Sequence, residues 1–281
     1  MKIAVITDSG ANLETSYMNE KKNLYVVPLM IVIDGKTYKD QIEISSSEVY
    51  EKLDTNHVST SLPDKVDIMN AIQAVKNGQY DHVIVISISS GLSGTFNQFR
   101  LVLEDQDVPY THIDTKTLGY QQGFMVKRAI ELIEKGHSPK DIEENLARFR
   151  KEDSLAMYTI NTLKYLKKGG RIGKVEGTIG ELLKIKPVIT VNDDGVYVTL
   201  SKGIGISRSL LTMKDILVKK FDTDLIDLTI HYGADLEKAT QLGQTLQKSL
   251  NVRHLVISEL TPVLGIHTGP DMFAYVAARV K

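Results

Sequence analysis

The sequence predicts an α/β fold, and three features carry that expectation. Residues 83–88 read VIVISI, a β-branched run short enough for a strand and apolar enough to be covered on both faces. Such strands occur in parallel sheets sandwiched between helices. Strand-like runs also alternate with helical patterns along both halves of the chain, the order that builds α/β architecture. Finally, Ser- and Gly-rich segments follow several strand-like runs, where ligands sit in such sheets. The chain has 281 residues. At about 150 residues per domain this suggests two α/β domains. A change of register near residues 150–155 divides it into 1–152 and 153–281.

Residues 2–7 form a β-branched run ending at Asp8-Ser9-Gly10, a buried strand and a loop. Residues 24–33 read as a second strand, turned by Asp34-Gly35. Ser45 and Glu48 form a capping box for a helix through Val49, Tyr50 and Leu53. Residues 57–64 read as a polar loop. Ile68, Ile72 and Val75 lie on one side of a helix over 66–76. Helices are expected over 94–104 and 118–135, with a strand at 110–114 between them. Ser138-Pro139 supplies an N-cap and an N1 proline for a helix to about residue 152. Beyond it come a strand at 155–160, a short helix in 163–171 stopped by Gly169-Gly170, and a hairpin turned by Asn192-Asp-Asp-Gly195. Helix, strand, helix, strand and helix then follow, with strands at 225–231 and 255–259.

Lys and Arg number 34 and Asp and Glu 35, a net charge of −1. No global field draws the chain to nucleic acid or anionic lipid. Cysteine is absent, which excludes disulfides, thiolate metal sites and a thiol nucleophile. Hydrophobic residues at 42% and charged residues at 25% argue against disordered, collagen-like and coiled-coil chains. The most apolar run, 26–33, is interrupted by Pro28 and falls far short of the ~20 residues of a membrane span. The opening MKIAVITDSG reads as a strand rather than a signal peptide. A soluble, cytoplasmic protein is expected.

Four polar segments are candidate sites: Asp8-Ser-Gly10, Ser59-Thr-Ser-Leu-Pro63, Ser89-Ser-Gly-Leu-Ser-Gly-Thr95 and Gly265-Ile-His-Thr-Gly-Pro270. The third joins the VIVISI strand to a helix. Its small residues admit a ligand to the backbone, and the amides at a helix start attract anions. An ordinary capped βα loop would also look like this. The segment is neither a G-x-S-x-G elbow, since Thr95 stands where the last glycine belongs, nor a Walker A loop. His267 is a further candidate, expected in a loop between the last strand and the last helix. The other histidines are scattered, so no metal site is expected. Lys164 to Lys168 with Arg171 and Lys174 form a basic patch at a helix end, where cations suit the dipole. A serine hydrolase using Ser93 and His267, with Asp8 or Asp114 as third member, is the alternative reading.

Taken together and in order, several segments resemble the DegV family of bacterial fatty-acid-binding proteins. They are Thr7-Asp-Ser9, Pro28-Leu29, Ile33-Asp-Gly-Lys36 with Tyr38, Asp40, Thr60-Ser61 with Pro63, Ser89 to Thr95, the run ending Gly169-Gly-Arg-Ile172, Ile185-Lys-Pro187 and His267-Thr-Gly-Pro270. The resemblance implies a fatty acid held between two α/β domains, with its acyl chain buried. Its carboxylate would meet Thr60, Ser93 and His267, with Ser61 and the Gly94 amide nearby. It implies no catalytic residue and no cofactor beyond the bound acid. The family includes the carrier subunit of a two-component fatty acid kinase, in which a separate ATP-binding subunit phosphorylates the acid for phospholipid synthesis. Lys167, Lys168 and Arg171 would then dock that partner. Two positions depart from the family's pattern: Asp271 replaces a glycine, and Ile204 stands where an arginine is common, with Lys202 and Arg208 close by. Burying a 16-carbon chain at about 0.8 kcal/mol per methylene gives about 11 kcal/mol gross, much of which association and ordering remove.

Overall fold

The computed structural model describes residues 1–178 and 184–280, apart from the side chains of 176–178. The first half runs β1 (Ile3–Asp8), α1 (Thr15–Glu20), β2 (Leu24–Val27), β3 (Met30–Ile33), β4 (Lys36–Lys39), α2 (Ser46–Lys52), β5 (Val58–Ser61), α3 (Lys65–Asn77), β6 (His82–Ser87), α4 (Thr95–Glu104), β7 (Tyr110–Asp114), α5 (Tyr120–Glu134) and α6 (Pro139–Arg148). The second runs β8 (Ser154–Ile160), α7 (Lys164–Lys168), β9 (Ile185–Val191), β10 (Tyr197–Ile204), α8 (Ile206–Phe221), β11 (Ile226–Tyr232), α9 (Leu236–Gln247), β12 (Val252–Glu259), α10 (Pro262–Thr268) and β13 (Met272–Arg279).

The VIVISI run lies in β6, which pairs in parallel with β1 and β7 in a four-stranded sheet ordered β2-β1-β6-β7. Val83 and Val85 pack with Ile68, Ile72 and Phe99 of α3 and α4. Ile84 and Ile86 point the other way, onto Phe124 and Met125 of α5. Both faces are thus buried, as a continuous apolar run requires. The capping boxes of Ser45 with Glu48 and of Ser138 with Asp141 both form, and each starts its helix where expected.

The second half builds a six-stranded mixed sheet, ordered β10-β9-β8-β13-β11-β12. Its inner strand β13 alternates. Phe273, Tyr275 and Ala277 pack with α8 and α9 residues such as Met213 and Ala239. Met272, Ala274, Val276 and Ala278 join clusters that contain residues of the first half. This corrects the expectation of a closing helix. A short apolar run carries no periodicity that separates a strand buried on both faces from a buried helix.

Two other expectations also change. Residues 24–33 are not one strand: the chain breaks at Pro28-Leu29, and β3 leaves for a separate three-stranded sheet, β4-β3-β5. Proline has no N–H to continue a ladder. Residues 57–64 are not all loop, because β5 pairs antiparallel with β3 and sets Thr60 opposite Ile31. No helix among the described residues is long and apolar enough to cross a membrane.

Candidate functional site

His267 lies in helix α10, not in a loop, and its position depends on contacts across the molecule. Asn12 Oδ1 accepts from the Thr261 amide at 2.7 Å, and the Ser46 hydroxyl donates to the Leu260 carbonyl at 2.8 Å. Asp40 Oδ1 accepts from the Val263 amide at 2.9 Å, while its Oδ2 takes the Thr261 hydroxyl. These groups are buried, so each bond is strong and expensive to lose. The first half thereby clamps the start of α10. The helix carries the His267 ring to Thr60, with Nε2 and Oγ1 3.1 Å apart. Gly169, after α7, makes room for the ring: a Cβ there would stand 2.2 Å from His267 Nδ1.

Thr60, Ser61, Ser93, Arg171 and His267 line one small cavity of about 40 Å³. Leu118, Tyr197 and Leu264 line it too, and they also line a second cavity of about 50 Å³. The walls of that second space come largely from strand faces and are mainly apolar, including Ala156, Val191, Met272, Ala274 and Val276, with Tyr120 of α5 and Leu264 of α10 completing them. The arrangement is therefore polar at one end and apolar along the rest.

Burial holds His267 down to about 4, with the nearby Arg171 guanidinium acting in the same direction. The imidazole is neutral at physiological pH, and its buried Nδ1 has no hydrogen-bond partner among the described residues. Arg171 donates to the carbonyls of Gly169 at 2.5 Å and Leu92 at 3.4 Å. Neither partner neutralises it, so the polar end combines hydroxyls, a neutral histidine and one positive charge. A carboxylate has about four acceptor sites for such donors.

The loop after β6 is divided in its use. Ser93 Oγ lies 2.8 Å from Thr95 Oγ1 and accepts the Thr95 amide at 3.3 Å, beside the cavity. Gly94 is exposed and does not line the cavity. The Ser89 hydroxyl donates to the Gly195 carbonyl at 2.7 Å, and a Cβ on Gly91 would stand 2.6 Å from that same oxygen. At Gly91 it is the β9–β10 hairpin that approaches the backbone. Asp8 is fully buried and accepts the amides of Gly10 at 3.0 Å and Ile88 at 2.8 Å. Burial lifts its carboxyl to about 6 against the pull of those amides. Asp114 is engaged with Lys116 and the Ser90 amide. Among the described residues no carboxylate bonds to His267 Nδ1, and Ser93 bonds to Thr95 rather than to His267, so the triad of the hydrolase reading is not assembled there. Among the described residues no group of three or more acidic or histidine side chains is placed to hold a metal ion.

A family model described as "Uncharacterised protein, DegV family" matches residues 2–280. The chain belongs to the DegV family. A DegV domain-containing protein of Clostridium acetobutylicum is 37% identical over 276 residues, 98% of each chain. A solved structure described as fatty acid binding of a DegV family protein from Thermus thermophilus superposes with a TM-score of 0.92 at 29% identity, covering 100% of both chains. Another, a stearic acid-binding protein from Eubacterium ventriosum, gives 0.86 at 25% identity and covers 99% of this chain and 98% of its own.

Within this DegV fold, Arg171 departs from the basic patch expected at the helix end. Gly170, at φ +70°, reverses the chain after α7 and returns Arg171 to the cavity. The Gly-Gly pair before it was the available signal. Lys167 and Lys168 do face outward, and Lys168 Nζ donates to the Leu53 carbonyl at 2.8 Å. Asp271, Lys202 and Arg208 are exposed, and Ile204 is 76% exposed. None of these four lines the cavity.

Proposed function

We propose that this chain binds a long-chain fatty acid, with the carboxylate at Thr60, Ser61, Ser93, Arg171 and His267 and the acyl tail along the apolar cavity. A hydroxyl- and arginine-lined cavity lies directly against an apolar one, with Leu118, Tyr197 and Leu264 lining both, and this adjacency carries the reading. DegV relatives described as fatty acid binding support it. Ligand pockets commonly hold about 300–1,000 Å³. The two cavities together hold much less, so the lining parts to admit a chain. A buried carboxylate needs hydrogen bonds, and charged ones contribute roughly 1.5–3 kcal/mol each. We read the chain as two domains, 1–152 and 153–281, that hold the acid between them. In favour, every strand of the six-stranded sheet lies after residue 153.

The family resemblance supports a finer role. The chain would be a non-catalytic carrier that presents its acid to a separate ATP-dependent kinase subunit in the cytoplasm, where ATP is available. The exposed Lys167 and Lys168 would meet that partner beside the Arg171 end of the site.

The test titrates a fatty acid and its methyl ester against wild type, Thr60→Ala, Ser93→Ala and His267→Ala. Each substitution is expected to weaken the acid by about 5- to 150-fold and the ester much less. Equal weakening of both ligands contradicts the head-group assignment. Protein that emerges from cells without lipid, and ignores added palmitate and oleate, contradicts fatty acid binding itself.

A further inference from the structure

Along β13 the residues facing the first half follow one another as Met272, Ala274, Val276 and Ala278. The first three line the apolar cavity, and Ala278 lines a separate open groove of about 740 Å³. Alternate residues of a strand are about 6.6 Å apart, so the groove begins one side-chain step beyond the cavity.

Tyr120 stands at that step. It lines both spaces and is 1% exposed. Its hydroxyl is held by Glu14 and Lys127, which pair with each other at 3.0 Å and line the groove. Its ring meets Phe124 edge-on at 4.8 Å. Its amide donates to His231 Nε2 at 3.3 Å, and His231 Nδ1 lies 3.2 Å from the Ser258 carbonyl. That carbonyl only accepts, so Nδ1 carries the proton and Nε2 is left free to accept. Ring, hydroxyl and backbone are all fixed at a wall between an apolar cavity and an open polar groove.

We propose that Tyr120 is the chain-length stop of the acyl track, closing the end away from His267 and latched there by Glu14 and Lys127. The proposal rests on the fatty acid reading above. An acid that ends before the ring is fully covered. A longer one has to push the ring aside, break the latch and extend into the groove.

Binding of saturated acids from dodecanoate to docosanoate, in steps of two carbons, tests this on the full-length chain freed of lipid. In wild type, affinity rises with length at about fourfold per covered methylene and then breaks. In Tyr120→Ala the break moves to longer acids by at least two carbons, and icosanoate and docosanoate bind about tenfold or more tighter than to wild type. Ala156→Leu provides a second reading if the first variant does not fold. Ala156 faces Val276 across the β8–β13 ladder, just short of the ring. Filling that space moves the break to shorter acids. A break that stays in place in a folded Tyr120→Ala, or in Ala156→Leu, overturns the stop. A wild-type protein that binds no acid of any length overturns the fatty acid reading and the stop with it, and the two failures are told apart by the wild-type titration alone.

Discussion

At the polar end of the cavity, Thr60, Arg171 and His267 come from a strand of a small side sheet, a turn after α7 and a seven-residue helix. Their meeting depends on buried side-chain bonds that join residues more than 200 positions apart. The apolar end is walled largely by β8, β9 and β13, which pair or lie next to one another in one sheet. There the strand's own alternation decides which residues face the cavity. On the proposed function, recognition of the head group would rest on a few specific hydrogen bonds, and cover for the tail on the faces of neighbouring strands.

Acid should strike both ends at once, and most strongly. His267 at the polar end and His231 at the apolar end are each lowered by burial to about 4 from an ordinary 6.5. Between those values the unfolded chain takes up protons that the fold refuses. Stability is therefore complete above pH 6.5 and lost as pH falls toward 4. The slope is about 1.4 kcal/mol per pH unit for each histidine, and His112, also lowered to about 4, adds to it. Asp8 opposes them: raised from 3.8 to about 6, it holds a proton in the fold that the unfolded chain releases, which recovers part of the loss. Denaturant midpoints should fall steadily from pH 7 to 5. A flat profile contradicts the burial of these rings.

The clamp can be broken alone. Asp40→Ala leaves the Val263 amide and the Thr261 hydroxyl without their acceptor. A loss of about 2–4 kcal/mol is expected, since each unpaired buried donor costs roughly 1–3 kcal/mol and removing a buried carboxylate returns some of it. Urea unfolding measures this, and an unchanged midpoint would show that α10 is held by packing instead. Acid affinity should fall further than ester affinity, because only the polar end loses its placement.

Gly169→Ala sharpens the comparison at a single atom. The added methyl occupies the space of His267 Nδ1, so the ring must shift from Thr60. Overpacking of this kind costs about 1–3 kcal/mol, and fatty acid affinity should drop about tenfold with the ester little changed. Equal affinities for the acid in both proteins would mean the ring moves freely. The smallest effect belongs to Lys167→Glu with Lys168→Glu. On this exposed surface fatty acid binding should change by less than about twofold, while phosphorylation of the bound acid by a kinase subunit should weaken. Unimpaired phosphorylation would return these lysines to ordinary surface charge.

Local signals were legible in the sequence wherever the physics is local. The capping boxes at Ser45 and Ser138, the VIVISI strand, the Asn192–Gly195 turn and the α/β class all follow from neighbouring residues, because caps, turns and strand alternation act over a few positions. The segments that hold Thr60, Ser61, Ser93 and His267 were legible as polar stretches between apolar elements, and the structure places these four side chains around one cavity. Three things depended on the assembled chain. The β13 run is a strand because it is covered on both faces by elements far away in sequence. Arg171 turns into the cavity because Gly170 takes a left-handed conformation, and nothing nearby in the sequence names the wall it meets. Tyr120 becomes a wall between two spaces only when α5 packs against β13. Composition and spacing report what a residue prefers. Which buried partners it receives is settled by the packing of distant segments, where the desolvation of each polar group leaves few acceptable pairings.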